Sequence, residues 1–137
     1  MKLNKWFAGI LMGSVVVAGA ASATNYKCNI KVRGINGGIS PVLVFSINDD
    51  ETEAMVYDAY VQKVYDRPIE AKIVVANAKR YTLKWSVAIK SDSDGQTLPR
   101  IDYRATYVKR THKLSITGFP IGYDNQFTGT GKCAVTK

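Results

Sequence analysis

Tyr81-Thr82-Leu83-Lys84-Trp85-Ser86-Val87-Ala88-Ile89-Lys90 alternates apolar and polar side chains almost without a break. Successive side chains of an extended chain point to opposite faces. Tyr81, Leu83, Trp85, Val87 and Ile89 therefore share an inward face, and Thr82, Lys84, Ser86 and Lys90 an outward one. The stretch predicts a half-buried β-strand. The same pattern recurs in Tyr26–Arg33, with Tyr26, Cys28, Ile30 and Val32 on one face, and in Leu98–Val108, with Ile101, Tyr103, Ala105 and Tyr107 together. Pro41–Ile47, Ile69–Ala76, Lys113–Phe119 and Phe127–Val135 read as further strands from their β-branched and aromatic content. In the last of these, Gly129, Gly131 and Cys133 have one parity, and small residues on one strand face permit close approach of another backbone.

Turn chemistry separates these stretches. Gly34-Ile35-Asn36-Gly37-Gly38 and Ser91-Asp92-Ser93-Asp94-Gly95-Gln96 carry Asn-Gly, Gly-Gly and Asp-Gly pairs that accept positive φ. Asn48-Asp49-Asp50-Glu51, Asn77-Ala78-Lys79-Arg80, Lys109-Arg110-Thr111-His112 and Pro120–Asn125 are polar connections. Glu53–Asp66 fits two periods. Met55, Tyr57, Ala59 and Val61 alternate as in a strand, whereas Val56, Tyr60 and Val64 sit four apart as on a helix face. Its aromatic and β-branched content favours strand for the first half, and Arg67-Pro68 ends it.

The first residues have a different character. Lys2 and Lys5 precede an uncharged, mostly apolar run from Trp6 to Ala18, and Ala21-Ser22-Ala23 fits the small-x-small pattern of signal-peptide cleavage. The apolar run falls well short of the ~20 residues a membrane-spanning helix needs. Residues 1–23 are therefore expected to be a signal peptide cut between Ala23 and Thr24. Asn25-Tyr26-Lys27 before Cys28 does not fit a lipoprotein signal. The mature chain, 24–137, has 137 − 23 = 114 residues, enough for one domain. Periplasmic or secreted location follows as the expectation.

Cys28 and Cys133 are the two cysteines. An even pair in an exported chain reads as a disulfide. Bridging requires their Cα atoms to come within about 7 Å, so the first and last strands must lie side by side. Seven or eight short strands in one meander, joined end to end, suggest an all-β fold: a small antiparallel barrel, with a β-sandwich as the alternative.

The chain carries a net charge of +8, and loss of Lys2 and Lys5 leaves 8 − 2 = +6. A basic exported domain can meet anionic partners, and its basic residues are interleaved with apolar ones as on the outer faces of strands. The one histidine, His112, lies in a basic turn with no catalytic companion and reads as a surface residue. One histidine and two bridged cysteines cannot build a transition-metal site, and Asn48–Glu51 lacks EF-hand spacing. Asp58, Asp66, Glu70 and Asp102 are candidates for a carboxylate pair, although strand alternation alone predicts Asp58 and Asp102 as outward polar residues. Eight tyrosines stand out. They either line a ligand cavity or fill a barrel that is just wide enough for its own side chains. The candidate ligand- or partner-binding residues are Tyr57, Trp85, Tyr103, Tyr107, Tyr123, Lys109 and Arg110. No catalytic motif, cofactor or metal site is indicated.

Trp85 in Tyr81–Trp85, Ile101-Asp102-Tyr103-Arg104-Ala105-Thr106 and Gly122-Tyr123-Asp124-Asn125-Gln126-Phe127-x-Gly129-x-Gly131-x-Cys133 resemble a group of small exported proteobacterial proteins with an early and a late cysteine. The group has no established activity. The resemblance implies a shape similar to lipocalin-like or lysozyme-inhibitor-like barrels. The serine and lysine loop motifs of the lysozyme inhibitors have no counterpart here, and a basic chain would repel basic lysozyme. The expected function is that of a monomeric, non-enzymatic binding or envelope-associated protein. It would take a small apolar or amphipathic ligand, an anionic envelope component or, as an inhibitor, another exported protein. A carboxylate-based hydrolase is a third possibility.

Overall fold

The computed structural model describes residues 22–34, 37–88 and 100–137. Eight strands run in chain order: β1 (Ala23–Arg33), β2 (Val42–Asn48), β3 (Ala54–Asp58), β4 (Ile69–Ala76), β5 (Arg80–Val87), β6 (Ile101–Val108), β7 (Lys113–Pro120) and β8 (Phe127–Thr136). One short helix, α1 (Ala59–Tyr65), separates β3 from β4. Each strand pairs antiparallel with its neighbours in sequence, and β8 pairs with β1, so the sheet closes as an eight-stranded meander barrel. The expected barrel is thus the observed fold, and the sandwich is not. Most of the segment expected to be a signal peptide, the Asp-Gly turn at 91–96, Ile89, Lys90 and the start of the Leu98–Val108 stretch lie outside the described residues.

Closure depends on β1 and β8. Cys28 stands opposite Cys133 in the register. The two Cα atoms are 3.9 Å apart, and the sulfurs are bonded. The neighbouring inward positions of β8 are Gly129 and Gly131, facing Val32 and Ile30. A Cβ on Gly131 would collide with the Asn29 carbonyl oxygen, and one on Gly129 would meet Ile30 Cγ2 at 2.7 Å. The obstacle at Gly131 is backbone, so that position takes only glycine at this separation, whereas a side chain at Gly129 would require Ile30 to shift.

The inward set of the quoted stretch is buried as its alternation predicts: Tyr81, Leu83, Trp85 and Val87 enter the core, while Lys84 and Ser86 stay exposed. Thr82 departs from the pattern. Its parity is outward, yet it is 1% exposed. Its hydroxyl lies 3.0 Å from that of Thr106 on β6. On its other side β4 shifts register between Ile73 and Val75.

The ambiguous segment contains both structures. Ala54–Asp58 is strand and Ala59–Tyr65 is helix. Asp58 makes the switch: its carboxylate accepts the Val61 N–H at 2.8 Å, as an N-cap does. Asp66 ends the helix in the left-handed region at φ 54°, donating its N–H to the Gln62 carbonyl. Val61 buries fully in the core. Asp58 itself corrects the outward expectation. The inward parity of β3 is Ala54, Val56 and Asp58, and Asp58 is 5% exposed.

The cross-link closes a loop with a sequence separation of 105. Replacing both cysteines (C28A/C133A) is expected to lower unfolding stability by about 4 kcal/mol through the freed chain entropy of the unfolded state. Gly131→Ala should cost about 3 kcal/mol, the upper end of overpacking penalties, because the obstacle is backbone. Urea midpoints of the two variants against the disulfide-bonded wild type, with G131A also oxidised, check both. A near-neutral G131A would show that β1 and β8 are not in close contact.

Candidate functional site

The barrel interior is filled by rings. Tyr26 stacks on Phe45 at 4.5 Å between centroids, and Tyr107 meets Tyr26 edge-on at 4.9 Å. Tyr81 lies 6.1 Å from Tyr26 and 6.4 Å from Tyr107. Nearer the other end, Trp85 stacks on Tyr103 at 5.4 Å. These geometries are the offset and edge-to-face arrangements that ring quadrupoles favour. Trp85, Tyr103 and Tyr107, three of the sequence candidates, are therefore packed core side chains.

Their polar ends have uses within the fold. Tyr81 Oη donates to Glu51 Oε1 at 2.7 Å, with Lys109 Nζ 3.6 Å from the same oxygen and 4.2 Å above the Tyr81 ring. Tyr107 Oη and His112 Nδ1 are 2.6 Å apart. Tyr103 Oη donates to the Gly38 carbonyl, while the Gly38 N–H donates to Tyr60 Oη at 2.9 Å. Gly38 has φ +94°, a conformation that favours glycine. Burial pushes the phenols of Tyr26, Tyr81, Tyr103 and Tyr107 above their ordinary value, so all four remain neutral near pH 7. Trp85 Nε1 is a buried polar atom without a hydrogen-bond partner.

The other candidates are dispersed. Tyr57 lies on the outer wall, in an open groove of about 830 Å³ with Val44, Met55, Arg67, Ile69 and Glu70. Tyr123 is 64% exposed in the loop after β7. Lys109 and Arg110 sit in the β6–β7 turn, where Lys109 braces Glu51. The four carboxylates do not converge. Asp58 points into the barrel, Asp66 ends α1, Glu70 is on the outer face of β4, and Asp102 on β6 is bound to Arg100 at 3.0 Å and to Ser86 Oγ at 2.6 Å. Among the described residues there is no group of three or more metal-ligating side chains. The acidic turn is a folding device: Asn48 Oδ1 accepts the N–H groups of Thr52 and Glu53, each at 2.9 Å.

A different set of residues does come together, on the outer wall. Lys72 on β4 stands opposite Lys84 on β5, and Lys84 stands opposite Arg104 on β6. All three are exposed. Directly opposed residues on one sheet face have Cβ atoms about 4.5–5.5 Å apart, where like charges repel. Among the described residues the ion pairs are Arg100–Asp102 and Lys109–Glu51, and neither reaches this row. Thr117, Thr128 and Arg33 continue the row around β7, β8 and β1. A second basic row lies toward the β6–β7 turn, where Lys113 opposes Lys132. Between the two runs a row of hydroxyls, Thr82, Thr106, Ser115 and Thr130, ending at Lys31. Shallow grooves of about 470 and 730 Å³ follow the two basic rows, and Asp102, paired with Arg100, also lines the first of them. The outward positions of β1, β5, β7 and β8 contain no Asp or Glu.

The fold and its wall define a closed antiparallel meander barrel with a ring-packed interior and a basic exterior. The chain matches no protein-family model, no curated protein and no solved structure. Among the described residues no helix is long and apolar enough to cross a membrane.

Asp58 gives a pH test of this interior. Burial raises its carboxyl above the ordinary value of 3.8, and the N–H groups of Val61 and Tyr60 offset part of the rise. The folded state therefore holds the proton more tightly than the unfolded one. Its contribution is most favourable below pH 3.8 and declines as pH rises through the higher folded value. Asp58→Asn keeps an acceptor for the Val61 N–H and cannot ionise. Its stability relative to wild type should increase between pH 4 and pH 7. Asp58→Ala loses the cap and should cost about 1–2 kcal/mol. Urea unfolding of the three proteins at both pH values checks the sign.

Proposed function

We propose that this is a non-enzymatic, exported binding protein of the cell envelope that holds an anionic partner on the outside of its barrel. The observation that carries this reading is the row Lys72–Lys84–Arg104. Three cations sit directly opposite one another on adjacent strands with no carboxylate between them. Each opposed pair lowers the stability of the sheet by some tenths of a kcal/mol. Alternation asks only for polar residues at these positions, and threonine or glutamine would meet that demand without repulsion. An anion bridging the row converts the repulsion into charge-assisted hydrogen bonds. The ring-filled interior favours the wall over an interior ligand.

Export rests on separate features: the basic start at Lys2 and Lys5, the apolar run Trp6–Ala18 and the Ala21-Ser22-Ala23 sequence. A disulfide joining the first and last strands suits an oxidising compartment.

The test uses residues 24–137 with the disulfide intact and the substitutions K72Q/K84Q/R104Q. The wild type should bind at least one of dextran sulfate, oligothymidylate or phosphatidylglycerol vesicles at 50 mM salt, and the triple variant should bind it at least tenfold more weakly. The variant should also be more stable, by roughly 0.5 kcal/mol, because it has lost like-charge contacts. Binding that is unchanged in the variant, or absent for all three probes, would sink the reading.

A further inference from the structure

We infer that the anionic partner is a flexible, linear, sulfated or phosphorylated polysaccharide, which lies around the barrel across both basic rows with its sugar and ester oxygens on the hydroxyl row between them. The inference rests on the proposed function and specifies its ligand.

Three observations select this occupant. The first is curvature. An eight-stranded barrel turns by roughly 45° from one strand to the next, so cations on β4, β5 and β6 point in different directions from Lys132 on β8 and Lys31 on β1. A flat bilayer can touch two or three neighbouring strands, whereas a flexible chain can follow the wall through all six.

The second is the spacing of the rows. Lys84 and Arg104 are four residues along their strands from Arg80 and Val108, the positions in line with Lys113 and Lys132. At about 3.3 Å per residue the basic rows are ~13 Å apart. The space between them is floored by Thr106, Ser115 and Thr130, with Asn29 beside Lys132. Hydroxyl and amide groups both donate and accept hydrogen bonds, which suits sugar hydroxyls and ester oxygens. Phosphate or sulfate alone would be served by lysine and arginine.

The third is the scarcity of rings on this wall. Proteins that hold single-stranded nucleic acid stack its bases on exposed aromatic side chains. On the outward faces of β1 and β5–β8, Phe119 is the single aromatic residue. It is 36% exposed. A row of bases would have almost nothing to stack on.

The experiment compares dextran sulfate, oligothymidylate of matched charge number and phosphatidylglycerol vesicles, with unsulfated dextran as the uncharged control. Affinities are read by titration calorimetry from 50 to 300 mM salt. Dextran sulfate should bind at least tenfold more tightly than the other two polyanions, and unsulfated dextran should not bind measurably. K113Q/K132Q should weaken dextran sulfate binding about tenfold and reduce the slope of log K against log salt by roughly 0.7 per lost contact. S115A/T130A removes two exposed hydroxyls without touching charge. It should weaken binding about threefold to tenfold at unchanged slope, with an unaltered circular-dichroism melt. Vesicles or oligothymidylate binding as tightly as dextran sulfate would overturn the polysaccharide assignment and leave the anionic-partner reading standing. So would an S115A/T130A protein with wild-type affinity. Failure of every polyanion to bind would overturn both.

Discussion

The structure depends on the contact between the first strand and the last. A meander of eight short strands has two free edges, and an unpaired edge invites association with other chains. Here the edges pair with each other. The approach is close because β8 presents Gly129, Gly131 and Cys133 to β1, and the Cys28–Cys133 bond holds it. A larger inward residue at Gly131 would collide with the Asn29 carbonyl, so the composition of one strand face sets the separation at the seam. The disulfide acts mainly on the unfolded chain, by restricting a loop that spans nearly the whole domain. Glycine spacing and cross-link thus serve one end by different means, the first through folded geometry and the second through unfolded-state entropy.

Once the barrel closes, inside and outside have separate tasks. Eight strands enclose a volume that side chains can fill, and Tyr26, Phe45, Tyr81, Trp85, Tyr103 and Tyr107 do so. Tyrosine suits this position because its ring packs in the core while its hydroxyl reaches a partner near the barrel ends. Glu51 and the Gly38 carbonyl accept from two of those hydroxyls, and His112 Nδ1 shares a hydrogen bond with a third. The acidic turn and the basic turn are tied to the core in this way. The exterior is under no such packing demand. Its basic rows are therefore a feature that packing does not require.

Much of this was legible along the chain. Alternation over Tyr81–Val87, Tyr26–Val32 and Ile101–Tyr107 determined strands, buried faces and the parity of each inward residue, because side-chain direction in an extended chain is a local property. Two cysteines near the two ends determined that the outer strands meet. Other features were decided only by the tertiary structure. Asp58 is inward because β3 takes the parity of Ala54 and Val56, and because a helix begins where its carboxylate can cap Val61. Thr82 is buried by its neighbours rather than by its own parity. The wall of Lys72, Lys84 and Arg104 joins residues far apart in the chain, and opposition across strands depends on register. Register is set by turn lengths, the β4 bulge and the seam at Cys28–Cys133, none of which an individual strand encodes. The sequence by itself determined the facing of most strand residues, because alternation is local, and the closed barrel decided the exceptions at Asp58 and Thr82 and which outward residues stand opposite one another.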